Sequence, residues 1–243
     1  MKTILKLTGV LLSLTITSCV NAQFGKGISG NGEVISKIRN VSEYDKISVG
    51  GSFDVVLISG KEGELVIEIE SNLLEYLVTE VEDDKLKIKW KKGVNIRNSK
   101  KVLVTVPFKD IDGVSLAGSG DIFSKDVILA ETFKTSIAGS GDIKLAVKAQ
   151  EVISKVSGSG DIELKGRTDL YTCSVTGSGD TKAYELKAID VIAKITGSGT
   201  IKVDVSNNLK VRITGSGDLY YSGAPKQQDV KVTGSGDIHS YSK

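Results

Sequence analysis

The sequence predicts an all-β fold, a parallel β-helix or closely related β-solenoid with coils of about 19 residues. Three observations predict it. The tripeptide Gly-Ser-Gly recurs seven times, beginning at Gly118, Gly139, Gly158, Gly177, Gly197, Gly215 and Gly234. Apolar and polar residues alternate in a fixed phase on both sides of every copy. The composition holds 27 Gly against only 2 Pro, which suits repeated tight turns between strands and not a flexible linker.

The chain opens on an export signal, residues 1–22. Lys2 and Lys6 form a basic start and Leu7 to Ile16 an apolar stretch. That stretch is shorter than the roughly 20 residues a membrane-spanning helix needs. Two cleavage routes fit. Ile16-Thr17-Ser18-Cys19 has the pattern of a lipobox, which makes Cys19 the candidate lipidation residue and an outer-membrane lipoprotein the outcome. Val20-Asn21-Ala22 fits ordinary signal peptidase, with release to the periplasm or cell surface. Both routes take the protein out of the cytoplasm.

Residues 23–243 read as one β-solenoid domain, irregular over 23–108 and regular over 109–243. In the irregular part, Ile47/Val49, Phe53/Val55/Leu57, Leu65/Ile67/Ile69 and Leu86/Ile88/Trp90 alternate with polar residues, as half-buried strands do. Lys85 to Lys91 is the clearest case, with one cationic and one apolar face. Asn72 to Leu77 suits a single helical turn. Ser29-Gly30-Asn31-Gly32 reads as a degenerate early copy of the repeated corner.

In the regular part the seven copies are spaced by 21, 19, 19, 20, 18 and 19 residues. Asp follows each copy (Asp121, Asp142, Asp161, Asp180, Asp218 and Asp237) except the fifth, where Thr200 stands. A branched apolar residue lies two positions before each copy, from Leu116 to Val232, with a polar residue just ahead of it. A unit of this size cannot bury its own apolar face, whereas stacking successive units at about 4.8 Å places like over like. Antiparallel hairpins in a sandwich or barrel are the alternative. Constant spacing and fixed phase favour parallel stacking.

The same residues limit the chemistry. With 32 Lys and Arg against 30 Asp and Glu, composition gives no electrostatic case for nucleic acid. A single histidine, His239, leaves little for a hydrolytic triad, and Cys173 has no partner in the mature chain and reads as a buried, inert thiol. Glu80, Glu82, Asp83 and Asp84 read as a solvated hairpin turn. Connections are too short to build a deep cleft, so no catalytic residue is expected. The corner aspartates have an ordinary structural account, accepting backbone hydrogen bonds. Stacked about 4.8 Å apart, Asp121, Asp142, Asp161 and Asp180 are also candidate Ca²⁺ ligands. No other cofactor is expected.

Several of these stretches together carry a family likeness: Ala22-Gln23 closing the signal, Gly30-Asn31-Gly32, Ile47-Ser48-Val49-Gly50-Gly51-Ser52-Phe53-Asp54-Val55, Leu86-Lys87-Ile88 and the Gly-Ser-Gly-Asp corners. In these the sequence resembles the putative auto-transporter adhesin, head GIN domain family. The resemblance implies an exported, non-catalytic, β-helix-like module of the cell envelope, with adhesion-like binding of a polysaccharide or protein. It carries over no binding residue. With no autotransporter barrel expected in about 220 mature residues, membrane attachment falls to lipid on Cys19. A purely structural envelope protein, or a small carbohydrate-active enzyme, is the rival expectation.

Overall fold

The computed structural model describes residues 27–241. The export signal and Cys19 lie outside the described residues. Eighteen strands and one 3-10 turn account for nearly all of the regular structure.

The repeat forms a stack of coils. Strands β10 (Gly113–Gly118), β11 (Ile122–Gly139), β12 (Ile143–Gly158), β13 (Ile162–Gly177), β14 (Thr181–Gly197) and β15 (Ile201–Gly215) follow one another in space as in sequence. Every neighbouring pair is parallel, and the corner glycines are in register from Gly118 through Gly215. Within the long strands the alternation of buried positions changes phase, twice in β14: Thr181 and Ala183, then Leu186 and Ala188, then Val191, Ala193 and Ile195. In β12 the buried positions are Ile143, Leu145, Ala146 and Val147, then the even-numbered Val152, Ser154 and Val156, so the phase changes between the two runs. One run of each coil follows a corner and the other precedes the next, and both turn their apolar side chains into one core cluster.

The corner explains the repeat. The carbonyl of Gly118 accepts two hydrogen bonds from the next coil, from the amides of Ser140 at 3.0 Å and Gly141 at 3.2 Å. The first glycine, Gly139, sits at φ +139°, where side-chain-bearing residues are strained. A Cβ there would also meet the Gly118 carbonyl. Gly141 has no such φ, but a Cβ on it would press on the Gly120 backbone and Leu116. The first glycine is required by conformation and space together, the second by space alone.

The early part departs from the sequence reading in one respect. Ser29-Gly30-Asn31-Gly32 is not a copy of the corner. Strand β1 (Gly27–Ser29) pairs with β8 (Asn95–Arg97) in a separate two-stranded sheet. The corner's earliest copy is Gly51-Ser52-Phe53-Asp54, because β3 (Lys46–Gly51) stacks on β10 with Gly51 in register with Gly118. Phe53 takes the second-glycine position, and its ring packs edge-on against Trp90 with centroids 5.5 Å apart. A three-residue motif search misses this copy because the aromatic replaces the second Gly.

Coil order also differs from chain order. Strand β4 (Asp54–Ser59) continues the β3 coil, and the chain then passes through β5 (Glu64–Glu70), the 3-10 turn Ser71–Tyr76 and β6 (Leu77–Glu82). Strands β7 (Lys85–Trp90) and β9 (Leu103–Phe108) add a parallel coil on the outer side of β3 and β4. Antiparallel strands cover that end: β6 on β7, β5 on β9, and β2 (Val34–Asn40) on β5. Asp83 and Asp84, both at positive φ, make the two-residue turn between β6 and β7.

At the opposite end lie β16 (Leu219–Ser222), β17 (Gln227–Gly234) and β18 (Ile238–Ser240). Val230 and Val232 continue the core columns of Val211 and Ile213, yet are 43% and 37% exposed among the described residues. Tyr221 packs against the core, while Tyr220 faces outward and stacks on His239, 4.8 Å between ring centroids.

Candidate functional site

The corner aspartates form a hydrogen-bonded ladder. One carboxylate oxygen of Asp54 accepts the Asp121 amide, Asp121 accepts Asp142, Asp142 accepts Asp161, and Asp161 accepts Asp180, at 2.9–3.2 Å. Asp180 accepts the Thr200 amide at 2.8 Å, where the run of aspartates stops, and Asp218 accepts Asp237 at 2.9 Å. The free oxygen of Asp161 pairs with Lys182 at 2.7 Å. These hydrogen bonds place Asp121, Asp142, Asp161 and Asp180 in the column the sequence predicts. Among the described residues, no three His, Cys, Asp or Glu side chains gather as ligands for a metal ion.

Cys173 is buried in the core beside Tyr171, whose hydroxyl bonds Ser154 Oγ at 2.7 Å. Burial pushes its thiol up to about 12, out of the range in which a thiolate forms at neutral pH. Of the acidic hairpin, Glu82 pairs with Lys87, and Glu80 with Lys89 at 2.7 Å.

The candidate functional surface is the sheet formed by β7, β3, β10, the runs of β11 to β15 that precede each corner, and β17. Outward side chains align there in three columns along the stack. One reads Lys85, Lys46, Gly113, Lys134, Ile153, Thr172, Ile192, Lys210, Asp229. Beside it run Lys87, Ser48, Ser115, Ser136, Lys155, Ser174, Lys194, Arg212 and Lys231. The third, next to the corner, passes from Lys89 through Gly50, Ala117, Ala138 and Ser157 to Thr176, Thr196, Thr214 and Thr233. The columns hold ten Lys or Arg and one acidic residue, Asp229, which pairs with Arg212 at 2.6 Å; beyond β7 the adjoining β6 adds Glu82 and Glu80, paired with Lys87 and Lys89.

The opposite sheet is more balanced. Two of its outward lysines meet acids of adjoining coils, Lys144 with Glu163 at 3.5 Å and Lys187 with Asp204 at 2.7 Å. A nearly neutral chain therefore carries a one-sided basic face. Sequence reasoning missed that face. Its signal was present in the polar residue before each corner and in the Lys-Leu-Lys-Ile-Lys run, but their adjacency depends on β7 stacking on β3.

This face holds a groove of about 430 Å³. Lys46, Lys85, Lys134 and Lys155 line it together with Asp112, Ser115 and Ser136, and Gly113 lies between Lys46 and Lys134 in the sheet. Gly113 has no side chain, so the column is interrupted there by a shallow notch, over which the Lys46 stem leans, its Cγ 3.4 Å and its Cδ 4.0 Å from where a Cβ on Gly113 would sit. Lys46 leans on Asp112 at 3.6 Å, while Lys85, Lys134 and Lys155 have no ion-pair partner among the described residues.

The fold defines the class: a parallel β-solenoid, capped by antiparallel strands at one end, with repeated polar outer faces. The sequence matches the family described as putative auto-transporter adhesin, head GIN domain, over residues 43–225, and the chain belongs to that family. It is similar in structure to a putative adhesin from Bacteroides fragilis, with a TM-score of 0.84 at 24% identity, covering 88% of this chain and 100% of that one. A putative lipid binding protein from Parabacteroides distasonis gives a TM-score of 0.75 at 27% identity, covering 89% and 100%. A putative adhesin from Parabacteroides merdae gives 0.70 at 22% identity, covering 89% and 99%. No curated protein matches the chain.

Proposed function

We propose that this protein is an exported, non-catalytic adhesin-like module of the cell surface that holds a polysaccharide or protein along its basic face. The observation that carries the reading is the concentration of ten cations on one flat sheet of a chain whose net charge is only +2. Columns repeating at about 4.8 Å offer the same contact many times, which suits a repetitive ligand held by many weak contacts. Membership of an adhesin-head family and the adhesin neighbours support it. The signal at residues 1–22 supplies export, and lipid on Cys19 supplies the anchor. No helix among the described residues is long and apolar enough to cross a membrane.

Mass spectrometry of the mature N-terminus tests the address, with a diacylated Cys19 expected and a chain beginning at Gln23 excluding the anchor. Retention of the purified protein on envelope-derived glycans and on intact cells tests the binding. Absence of retention on both would leave a structural envelope protein.

A further inference from the structure

We propose that the groove at Gly113 is an anion-binding subsite for an acidic polysaccharide, taking a carboxylate-bearing sugar between Lys46 and Lys134. This rests on the reading of the basic face as the binding surface and narrows its ligand. Lys46 and Lys134 stand two ladder steps apart, about 9.6 Å, with no side chain on the glycine between them. An anionic group in that groove comes within reach of the Lys134 and Lys155 ammoniums and of Lys46, which leans over Gly113 toward Asp112, with Lys85 one step further along. Three of the four lysines have no ion-pair partner among the described residues, so little existing pairing must be broken.

The surroundings select the polymer. Ser115 and Ser136 line the groove with hydroxyls suited to hydroxyl-rich sugars. Lys155 begins a cationic line that Lys194, Arg212 and Lys231 continue, so a bound chain can run along the stack and meet charge repeatedly. None of the three columns contains an aromatic side chain, and nucleic-acid strands depend on aromatic platforms for base stacking. The geometry therefore favours an acidic glycan over a single-stranded nucleic acid.

The test measures binding of the full mature protein to polygalacturonate, with neutral dextran and single-stranded DNA as comparators, at low and moderate salt. Polygalacturonate is expected to bind and to weaken with salt, and dextran is not. Lys134→Glu with Lys155→Glu should weaken polygalacturonate binding by about tenfold or more, because two attractions become repulsions. Gly113→Gln fills the notch without changing any charge and should weaken it as well. Lys202→Glu, on the opposite sheet, should leave it unchanged. Circular dichroism and Tm establish that each variant is folded. The proposal is overturned if polygalacturonate is not bound, if the double variant binds it like the parent, if dextran binds equally, or if DNA binds more tightly through the same lysines. Cell retention separates the two readings: a double variant that still adheres sinks the groove alone, whereas a parent that adheres to nothing sinks the adhesin reading.

Discussion

The backbone amide of Asp142 donates to the carboxylate of Asp121, one coil away, at 3.1 Å. The same bond recurs up the stack, so each corner aspartate both holds the next coil in register and fills a donor that the tight turn would leave unpaired. The ladder lapses at Thr200, whose side chain shows no bond to the Asp218 amide.

Removing a rung should destabilise the stack and adding one should stabilise it. Asp142→Ala leaves the Asp161 amide without its partner and should cost about 1–2 kcal/mol, while Asp142→Asn should cost less. Thr200→Asp should gain about 0.5–1 kcal/mol by bonding the Asp218 amide. Urea unfolding midpoints measure both; a Thr200→Asp protein weaker than the parent would refute the ladder.

The two corner glycines should differ in why they resist substitution. Gly177 combines φ +116° with contact against the Gly158 carbonyl, whereas Gly179 meets the Gly160 backbone and Val156 without the unusual φ. Gly177→Ala should cost about 3 kcal/mol or more, from strain and overlap together. Gly177→Asn should recover none of that loss, because its Cβ still meets the Gly158 carbonyl and φ +116° lies beyond the left-handed helical region that Asn tolerates. Gly179→Ala and Gly179→Asn should cost less, from overlap alone. Thermal unfolding of the four variants compares them.

Acid should loosen the N-terminal strap through Glu70. Its buried carboxylate accepts the Ser99 hydroxyl at 2.6 Å and the amides of Gly32, Ser99 and Lys100, tying residues 30–33 to 97–100. These bonds, led by the Ser99 hydroxyl, lower its pKa to about 2 from 4.5. A depressed folded pKa means that the stabilisation is complete above the ordinary carboxylate range and is lost as pH falls from 4.5 through about 2. Glu70→Gln should flatten that part of the stability-against-pH curve, and an unchanged slope would remove Glu70 from the account.

Cys173 should react only when the coil opens. With the thiol buried and its pKa raised to about 12 by desolvation, modification by a thiol reagent at neutral pH should track global unfolding. Fast labelling of the native protein would contradict this placement. Cys173→Ala should cost about 1 kcal/mol or less, because the neighbouring coil already places Ala193 in that column.

Much of the architecture was legible because the repeat enforces it. Ile137, Val156, Val175 and Ile195 recur at a fixed offset from a turn that only glycine fits, which leaves stacking as the way to bury them. The 3-10 turn at Ser71–Tyr76 and the turn at Asp83-Asp84 were legible for local reasons. The Gly51–Asp54 corner was hidden by Phe53, whose ring takes the space a side chain on Gly51 would fill and packs edge-on against Trp90.

The sequence by itself determined the coil, its corner, the burial of Cys173 and the family of the chain. Those properties depend on backbone conformation and on apolar periodicity, both written locally. Tertiary structure decided the order of the first coils, with β7 and β9 stacked outside β3 and β4, and through it the position of the basic groove. Lys85 and Lys46 are 39 positions apart in the chain and adjacent in the sheet. Electrostatic potential depends on distance in space, so a composition close to neutral says nothing about which face its charges share.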